Sequence, residues 1–487
     1  MISLFDACKK SLCSSINHSS HCFYFKSKQI MILENPTDFY THLKNKIKTS
    51  KKHIFLASLY LGKQEQDLIN CLSDAMKKND NLKLYFIVDG LRGTREAPNL
   101  CSASLLASLV QKYGDRVDVR CYRAPQYYRW YNKLLPSRIN EGVGVQHMKI
   151  YGFDDEVILS GANLSKDYFT NRQDRYYIFK DNKFFNEYYF NMHQLVSKLS
   201  HKVEYRNNQA RFELVWPSSN VSCDPESDYS RFLKESRVAI KKFMQSPVNN
   251  APQKESLEEY PTYVYPLTQF TPFFKGKKDV STEKRSLLNL FNDLKHSQLN
   301  FDWNFTTGYF NIEDDLRDSL ISVSKREQVN GNIITASAKA NGFYLSKGIS
   351  GMLPSAYHYL QYRFLKLVES RKSNISIYEW QRGEVNKPNG WSYHAKGIWI
   401  LPKNKDTLPI FTTIGSSNYT TRAYSLDIEN DCAILTKDSD LRHQIQREID
   451  NLNSNVHEVK REDFKEQSEK KIKLKVKMAA ELLKDKL

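Results

Sequence analysis

The 487-residue chain has no run of about 18 apolar residues, so no segment reads as a membrane-spanning helix and the protein is expected to be soluble or peripherally bound. Its eight cysteines are scattered, with no C-x-x-C pair; this excludes a zinc knuckle and a disulfide framework and suits reduced thiols. Clusters with metal-ligand spacing are also missing, so no metal is expected in the chemistry. Gly62-Lys63 follows a strand-like run but lacks the rest of a G-x-x-x-x-G-K-[ST] loop, which argues against ATP binding there. Arginine is missing from the first 28 residues, which hold one acid, Asp6, with Lys9, Lys10, Lys26, Lys28 and several serines. Apart from the missing arginine this is the composition of an organelle presequence, and 1–28 is expected to be one.

What the chain has in excess is positive charge. A net charge of +17 favours polyanionic partners, and nucleic acid and anionic lipid fit it equally. Hydrophobic residues at 40% and aromatics at 13% are enough for real cores, and the length suits two lobes of roughly 200 residues each.

The two halves run to one plan. In the first, strand-like runs at 54–60, 84–88 and 117–119 precede 144–149, which leads to 157–163. In the second, 304–310, 332–336 and 375–377 precede 393–400, which leads to 411–418. Helical stretches such as 64–76 and 357–370 separate these runs, so each half is expected to form an α/β sheet. The boundaries that follow are a first lobe at 29–245, a linker or surface excursion at 246–290 carrying Pro247, Pro252, Pro261, Pro266 and Pro272, and a second lobe at 291–460. A basic C-terminal helix at 461–487 carries a stripe of Ile472, Val476, Ala479 and Leu483, suited to an anionic lipid surface or to a plain solvated helix. The aromatics Tyr127, Tyr128, Trp130 and Tyr131 suit a membrane interface or packing near the site.

His-x-Lys occurs at the same place in each half, as His147-Met148-Lys149 and His394-Ala395-Lys396. In extended backbone residues i and i+2 point the same way, so imidazole and ammonium share one site. A histidine can attack phosphorus and leave again, and a neighbouring lysine neutralises the phosphate oxygens as charge develops. His42-Leu43-Lys44 is a third match with nothing characteristic after it, and about one match is expected by chance. The other two are each followed by an Asn in a Gly/Ser turn and by an acid eleven residues on: Asn163 with Asp174, and Asn418 with Glu429.

His-x-Lys-x4-Asp followed by Gly-Ser-x-Asn is the signature of the phospholipase D superfamily, which the chain resembles twice. His147, Lys149 and Asp154 match it, and Ser160-Gly161-Ala162-Asn163 is a variant of the turn. Gly415-Ser416-Ser417-Asn418 matches fully, while Leu401 stands at the Asp position of the second half. The segments 135–147, 158–165 and 168–176, with Arg92-Gly93-Thr94-Arg95 after Asp89, further resemble the eukaryotic mitochondrial phosphatidylglycerophosphate synthases, a likeness running from about 55 to 435.

That resemblance implies an α/β fold of two similar phospholipase D-type lobes related by a pseudo-twofold, with mixed sheets flanked by helices. It implies a phosphatidyltransferase acting on CDP-diacylglycerol and glycerol 3-phosphate through a phosphatidyl-histidine, in cardiolipin synthesis at the matrix face of the mitochondrial inner membrane. The partners expected are those substrates and an anionic membrane surface, with no nucleic acid and no cofactor. By superfamily likeness His147 is the nucleophile and His394 the acid/base, the reverse assignment being the alternative, with Lys149, Lys396 and Asp154 completing the catalytic set. Asn163 and Asn418 are expected to hold phosphate oxygens, Asp174 and Glu429 to orient an imidazole each, and Arg92 and Arg95 to meet the acceptor's phosphate. A nuclease or phosphodiesterase, a serine-accepting synthase and a non-catalytic lipid-binding protein are the alternatives.

Overall fold

A computed structural model describes residues 3–15, 21–133, 141–246, 258–404, 406–464 and 474–484. Among them the duplication appears as two nine-stranded sheets with the same internal order. In the first lobe Val117–Tyr122, Lys83–Asp89 and His53–Ala57 run parallel, and Ile150–Gly152, Glu156–Ser160, Tyr176–Lys180 and Ile30–Leu33 continue the sheet antiparallel. The second lobe repeats this with Ile375–Trp380, Val329–Ala336, Phe301–Thr307, then Gly397–Pro402, Phe411–Gly415, Glu429–Thr436 and Thr262–Gln269.

Both faces of each sheet are covered, and strand alternation deals side chains to different cores. Leu84, Phe86 and Val88 face the outer core of the first lobe, while Ile87 joins a central core shared by both lobes. In the second lobe Ile398 and Ile400 face its own outer core, and Trp399 between them joins the central one.

Three stretches depart from the sequence expectation. The expected linker contains a core strand, Thr262–Gln269, paired along its whole length with Glu429–Thr436, and the helix Glu283–His296, which buries Leu287, Leu290, Phe291 and Leu294. The second lobe therefore begins near 262, not 291. Pro266, a reason for reading a loop, lies beyond Val264, where the neighbouring strand Phe23–Phe25 has ended and the strand edge tolerates a residue without an N–H.

Within 1–28, expected as a presequence, the described residues 3–15 and 21–25 pack into the second lobe. The helix Leu4–Ser15 buries Leu4, Phe5, Cys8 and Leu12 in that lobe's outer core, and Phe23–Phe25 adds its edge strand before Ile30–Leu33 joins the first sheet. The lysines behind the presequence reading lie on the outer side: Lys10 is exposed, and Lys9 sits 4.2 Å over the Tyr263 ring. At the other end, the helix Leu474–Leu483 packs Val476 and Ala480 on the helix Leu353–Arg371, tied by Arg363 to Glu481 at 2.6 Å. Ile472 of the expected stripe lies outside the described residues. No helix among the described residues is long and apolar enough to cross a membrane.

Candidate active site

Each His-x-Lys stretch immediately precedes a strand of its own sheet and runs against the other lobe. The His147 N–H donates to the Ile428 carbonyl at 3.0 Å, and the Lys149 N–H to Asn430 Oδ1 at 3.2 Å. In the second lobe Ser392–Tyr393 pairs with Arg172–Gln173 of the first, and the His394 N–H donates to the Gln173 carbonyl at 2.8 Å. This exchange carries the acids across the seam. His147 Nδ1 lies 2.9 and 3.0 Å from the two carboxylate oxygens of Glu429, and His394 Nδ1 lies 2.7 Å from Asp174 Oδ2. Each acid thus meets the other lobe's histidine rather than the one in its own half.

The lysines are buried behind the rings. Lys149 Nζ donates to the His147 carbonyl at 2.6 Å, and Lys396 Nζ to the His394 carbonyl at 2.8 Å, also 2.7 Å from His394 Nδ1. Arg175, buried among Tyr177, Trp399 and Glu448, donates to the Lys396 carbonyl at 2.8 Å and so fixes the second stretch from the first lobe. Residue 397 must be glycine for this: a Cβ there would lie 1.7 Å from Arg175 Nη1.

Burial dominates the electrostatics. It lowers both histidines well below their ordinary value, helped by Lys149 at His147 and by Lys396 at His394, so both rings are neutral in the empty site. It also brings Lys149 down to about 7 and Lys396 to about 8, and raises Glu429 to about 7 against the pull of Lys149. A neutral ring whose Nδ1–H donates to a carboxylate keeps its lone pair on Nε2. His147 Nε2 has no hydrogen bond with the described residues, whereas His394 Nε2 is 3.4 Å from the Tyr168 hydroxyl.

Both imidazoles open on one cavity of about 370 Å³, with Asn163, Asn418, Arg92, Arg172 and Arg422 in its wall. Asn163 donates to the Tyr168 hydroxyl at 3.1 Å and takes the Leu59 N–H at 3.3 Å, while Asn418 Oδ1 is buried without a hydrogen-bond partner among the described residues. On the second-lobe side the wall is Tyr309, Phe343, Leu353 and Tyr357. Arg92 also lines an adjoining cavity, where Arg95 lies; Arg95 does not reach the first one.

Asp154, expected in the catalytic set, is elsewhere. Its carboxylate caps the turn before His53–Ala57, accepting the N–H groups of Lys51, Lys52 and His53 at 2.6, 2.9 and 2.9 Å. Those bonds hold its pKa below the ordinary value despite partial burial. Leu401 at the equivalent place in the second lobe accordingly needs no chemical substitute.

Two arginines of the wall escaped the sequence reading. Arg172 pairs with Asp167 at 3.2 Å, and Arg422 with Asp427 at 3.0 Å, the latter acid also accepting the Val145 N–H at 2.9 Å. Counted from Asn163 the acid stands at the fourth position and the arginine at the ninth; counted from Asn418 the order is reversed. Comparing these offsets between halves is the signal that finds them.

Duplicated α/β lobes that exchange acids across a seam, with two imidazoles on one cavity, define a protein of the phospholipase D type. Residues 290–453 match the family model described as the PLD-like domain of cardiolipin synthase. The chain is 49% identical to the CDP-diacylglycerol–glycerol-3-phosphate 3-phosphatidyltransferase of Saccharomyces cerevisiae, over 96% of this chain and 89% of that one. It is 38% identical to the Schizosaccharomyces pombe protein of the same name, over 88% and 89%, and 30% identical to the human one, named mitochondrial, over 95% and 84%. The chain belongs to this family of CDP-diacylglycerol–glycerol-3-phosphate 3-phosphatidyltransferases. A solved phosphatidylserine synthase of Haemophilus influenzae shares the fold, with a TM-score of 0.72 at 19% identity over 99% of this chain and 100% of that one.

Proposed function

We propose that the chain transfers the phosphatidyl group of CDP-diacylglycerol to sn-glycerol 3-phosphate, giving phosphatidylglycerophosphate and CMP. The observation that carries this reading is the pair of neutral imidazoles, each with Nδ1 engaged by a carboxylate, facing one cavity lined by Arg92, Arg172 and Arg422.

His147 is the nucleophile, because its Nε2 is open to the cavity. It attacks the phosphorus that bears diacylglycerol; the N–P bond forms and the bond to the CMP oxygen breaks, the electron pair leaving with CMP. His394 supplies the proton to that oxygen. The diphosphate brings two negative charges into the cavity and so raises the His394 pKa on binding. In the second step the acceptor's 1-hydroxyl attacks, His394 takes its proton, and the N–P electron pair returns to His147. Asn163, Asn418, Lys149, Lys396 and the two seam arginines, Arg172 and Arg422, stabilise the charge on the non-bridging oxygens. His147→Ala should abolish CMP release from CDP-diacylglycerol. In an acceptor screen of purified protein, glycerol 3-phosphate should drive sustained release and serine and water should not; serine or water serving instead would overturn the assignment.

The apolar second-lobe flank suits the diacylglycerol. On its rim Leu345 is 71% exposed two residues from Phe343, and beside it the Leu474–Leu483 helix, packed on Met352, presents Lys477 and Met478, the latter 60% exposed. We assign this rim to an anionic bilayer surface. Leu345→Asp with Met478→Asp should weaken flotation with anionic liposomes while leaving turnover of detergent-dispersed substrate; unchanged flotation would refute it. The vertebrate relatives are named mitochondrial, and the proposed location is the matrix face of the inner membrane; protease protection in mitoplasts tests this.

A further inference from the structure

We infer that the adjoining first-lobe cavity is the seat of the acceptor's phosphate, recognised by Lys63, Arg92, Arg95 and Lys166; this rests on the transferase reading above. The cavity measures about 260 Å³ and shares Tyr60 and Arg92 with the reaction cavity, so a ligand can extend from one into the other. Glu65, Glu96 and Asp167 also line it. Glu65 accepts the Lys166 N–H at 2.7 Å and Asp167 pairs with Arg172, so both acids hold the wall together.

The position of the cavity follows from the stereochemistry. A two-step displacement through a phosphatidyl-histidine requires the acceptor to attack from the side that CMP has left, opposite the nucleophilic His147. That side belongs to the acid/base histidine. Lys166 opens the helix Lys166–Thr170, which carries Tyr168, whose hydroxyl lies 3.4 Å from His394 Nε2. The cationic cavity thus shares the helix Lys166–Thr170 with the wall at His394, where the acceptor's hydroxyl must lose its proton, and a phosphate three carbons away reaches beyond the reaction cavity toward it.

The arginine loop is also tied to the chemistry. Asp89 accepts the Leu91 and Arg92 N–H groups at 3.0 and 2.8 Å with one oxygen and the Gln146 N–H, next to His147, at 2.9 Å with the other. Arg92 lies 5.0 Å over the Tyr60 ring, which holds its guanidinium at the boundary of the two cavities. The loop after the equivalent second-lobe strand differs: after Ala336 its chain reads Ser337-Ala338-Lys339-Ala340-Asn341, without the arginine pair, and leads to the apolar flank at Phe343. Among the described residues the two equivalent loops thus differ, cationic in the first lobe and leading to an apolar wall in the second, and the cationic one favours an acceptor that carries a phosphate over serine.

The test uses Arg95→Ala and Lys166→Met, two independent surface changes, and Arg95→Lys as the conservative control. Three rates are measured: turnover against glycerol 3-phosphate concentration, turnover with glycerol, and exchange of labelled CMP into CDP-diacylglycerol without acceptor. The first two variants should raise the KM for glycerol 3-phosphate at least tenfold while exchange and glycerol use stay within threefold of the parent, and Arg95→Lys should recover much of the loss. An unchanged KM overturns the subsite. A parallel fall in exchange does so too, because it places these side chains on the nucleotide or the chemical step. If the parent enzyme shows no exchange, the phosphatidyl-histidine reading fails, while the KM comparison with glycerol still decides the subsite.

Discussion

Glu429→Gln separates the crosswise support of His147 from ordinary packing. The change keeps the side chain's shape and removes its charge, at a fully buried position with both oxygens about 3 Å from His147 Nδ1 and one also taken by Ser416. A hydrogen bond to a charged group contributes about 1.5–3 kcal/mol, roughly 10- to 150-fold in rate if it is expressed wholly in the transition state. A carboxamide can also turn its NH2 toward Nδ1 and favour the tautomer that protonates Nε2, a misplacement that has cost about 10⁴ in kcat in a histidine–carboxylate pair of similar design. The expected loss in kcat is therefore about 10²- to 10⁴-fold, with the CMP exchange falling in step. Stability should respond differently. A carboxyl raised from 4.5 to about 7 binds more protons folded than unfolded, so it destabilises the fold progressively as pH rises from 4.5 to 7 and fully above that. That cost is of the order of 3 kcal/mol, and Gln removes it while losing hydrogen bonds of similar worth. The melting temperature at pH 8 should stay within a few degrees of the parent, and the variant should compare less favourably at pH 5, where Glu429 is already protonated. Labelled CMP release and thermal melts at the two pH values read this out. Activity within tenfold of the parent would refute the tautomer argument.

Asp154→Asn should lower stability by about 1–3 kcal/mol, because three backbone N–H groups lose a charged acceptor, and should leave kcat unchanged; a melt and a turnover assay suffice. Arg175→Met leaves Glu448 buried without its bidentate partner and should cost about 3–5 kcal/mol by chemical denaturation, much of it recovered when Glu448→Leu is added. The ammonium groups of Lys149, at about 7, and Lys396, at about 8, are both needed charged, so kcat/KM should fall as pH rises through about 7 to 8, and Lys396→Arg should remove the upper step and leave the lower one in whatever activity it retains.

What was legible in the sequence is what is local. The two His-x-Lys stretches, the strand order and the common offset from Asn to acid lie within single halves, and the structure places both motifs on one cavity. Which histidine each acid meets was not legible, because it depends on segments at 145–147 and 392–394 pairing with the opposite lobe. Asp154 reads as part of the chemistry because the motif contains it. It lies seven residues past His147, however, and at about 3.3 Å per extended residue the strand Ile150–Gly152 and its turn carry it to the far end of the sheet. The composition of the N-terminal segment suggests a presequence, whereas Leu4, Phe5, Cys8 and Leu12 carry the spacing of a buried helical face.

The crosswise acids make the active site a property of the assembled pair of lobes. Separating the lobes removes Glu429 from His147 and Asp174 from His394 together, so neither half retains an oriented imidazole. The seam is nearly symmetric in its reacting groups, and the inverted pairs Asp167–Arg172 and Arg422–Asp427 place one guanidinium from each lobe over the same space. Symmetry at the phosphorus suits a chemistry in which one imidazole makes and breaks the bond to phosphorus while the other gives and takes the proton on the opposite side. Direction comes from the flanks, where Phe343, Leu353 and Tyr357 face one side and the cationic pocket the other. A duplicated scaffold can thus join a lipid to a phosphorylated alcohol by keeping its centre alike and letting the loops after equivalent strands diverge.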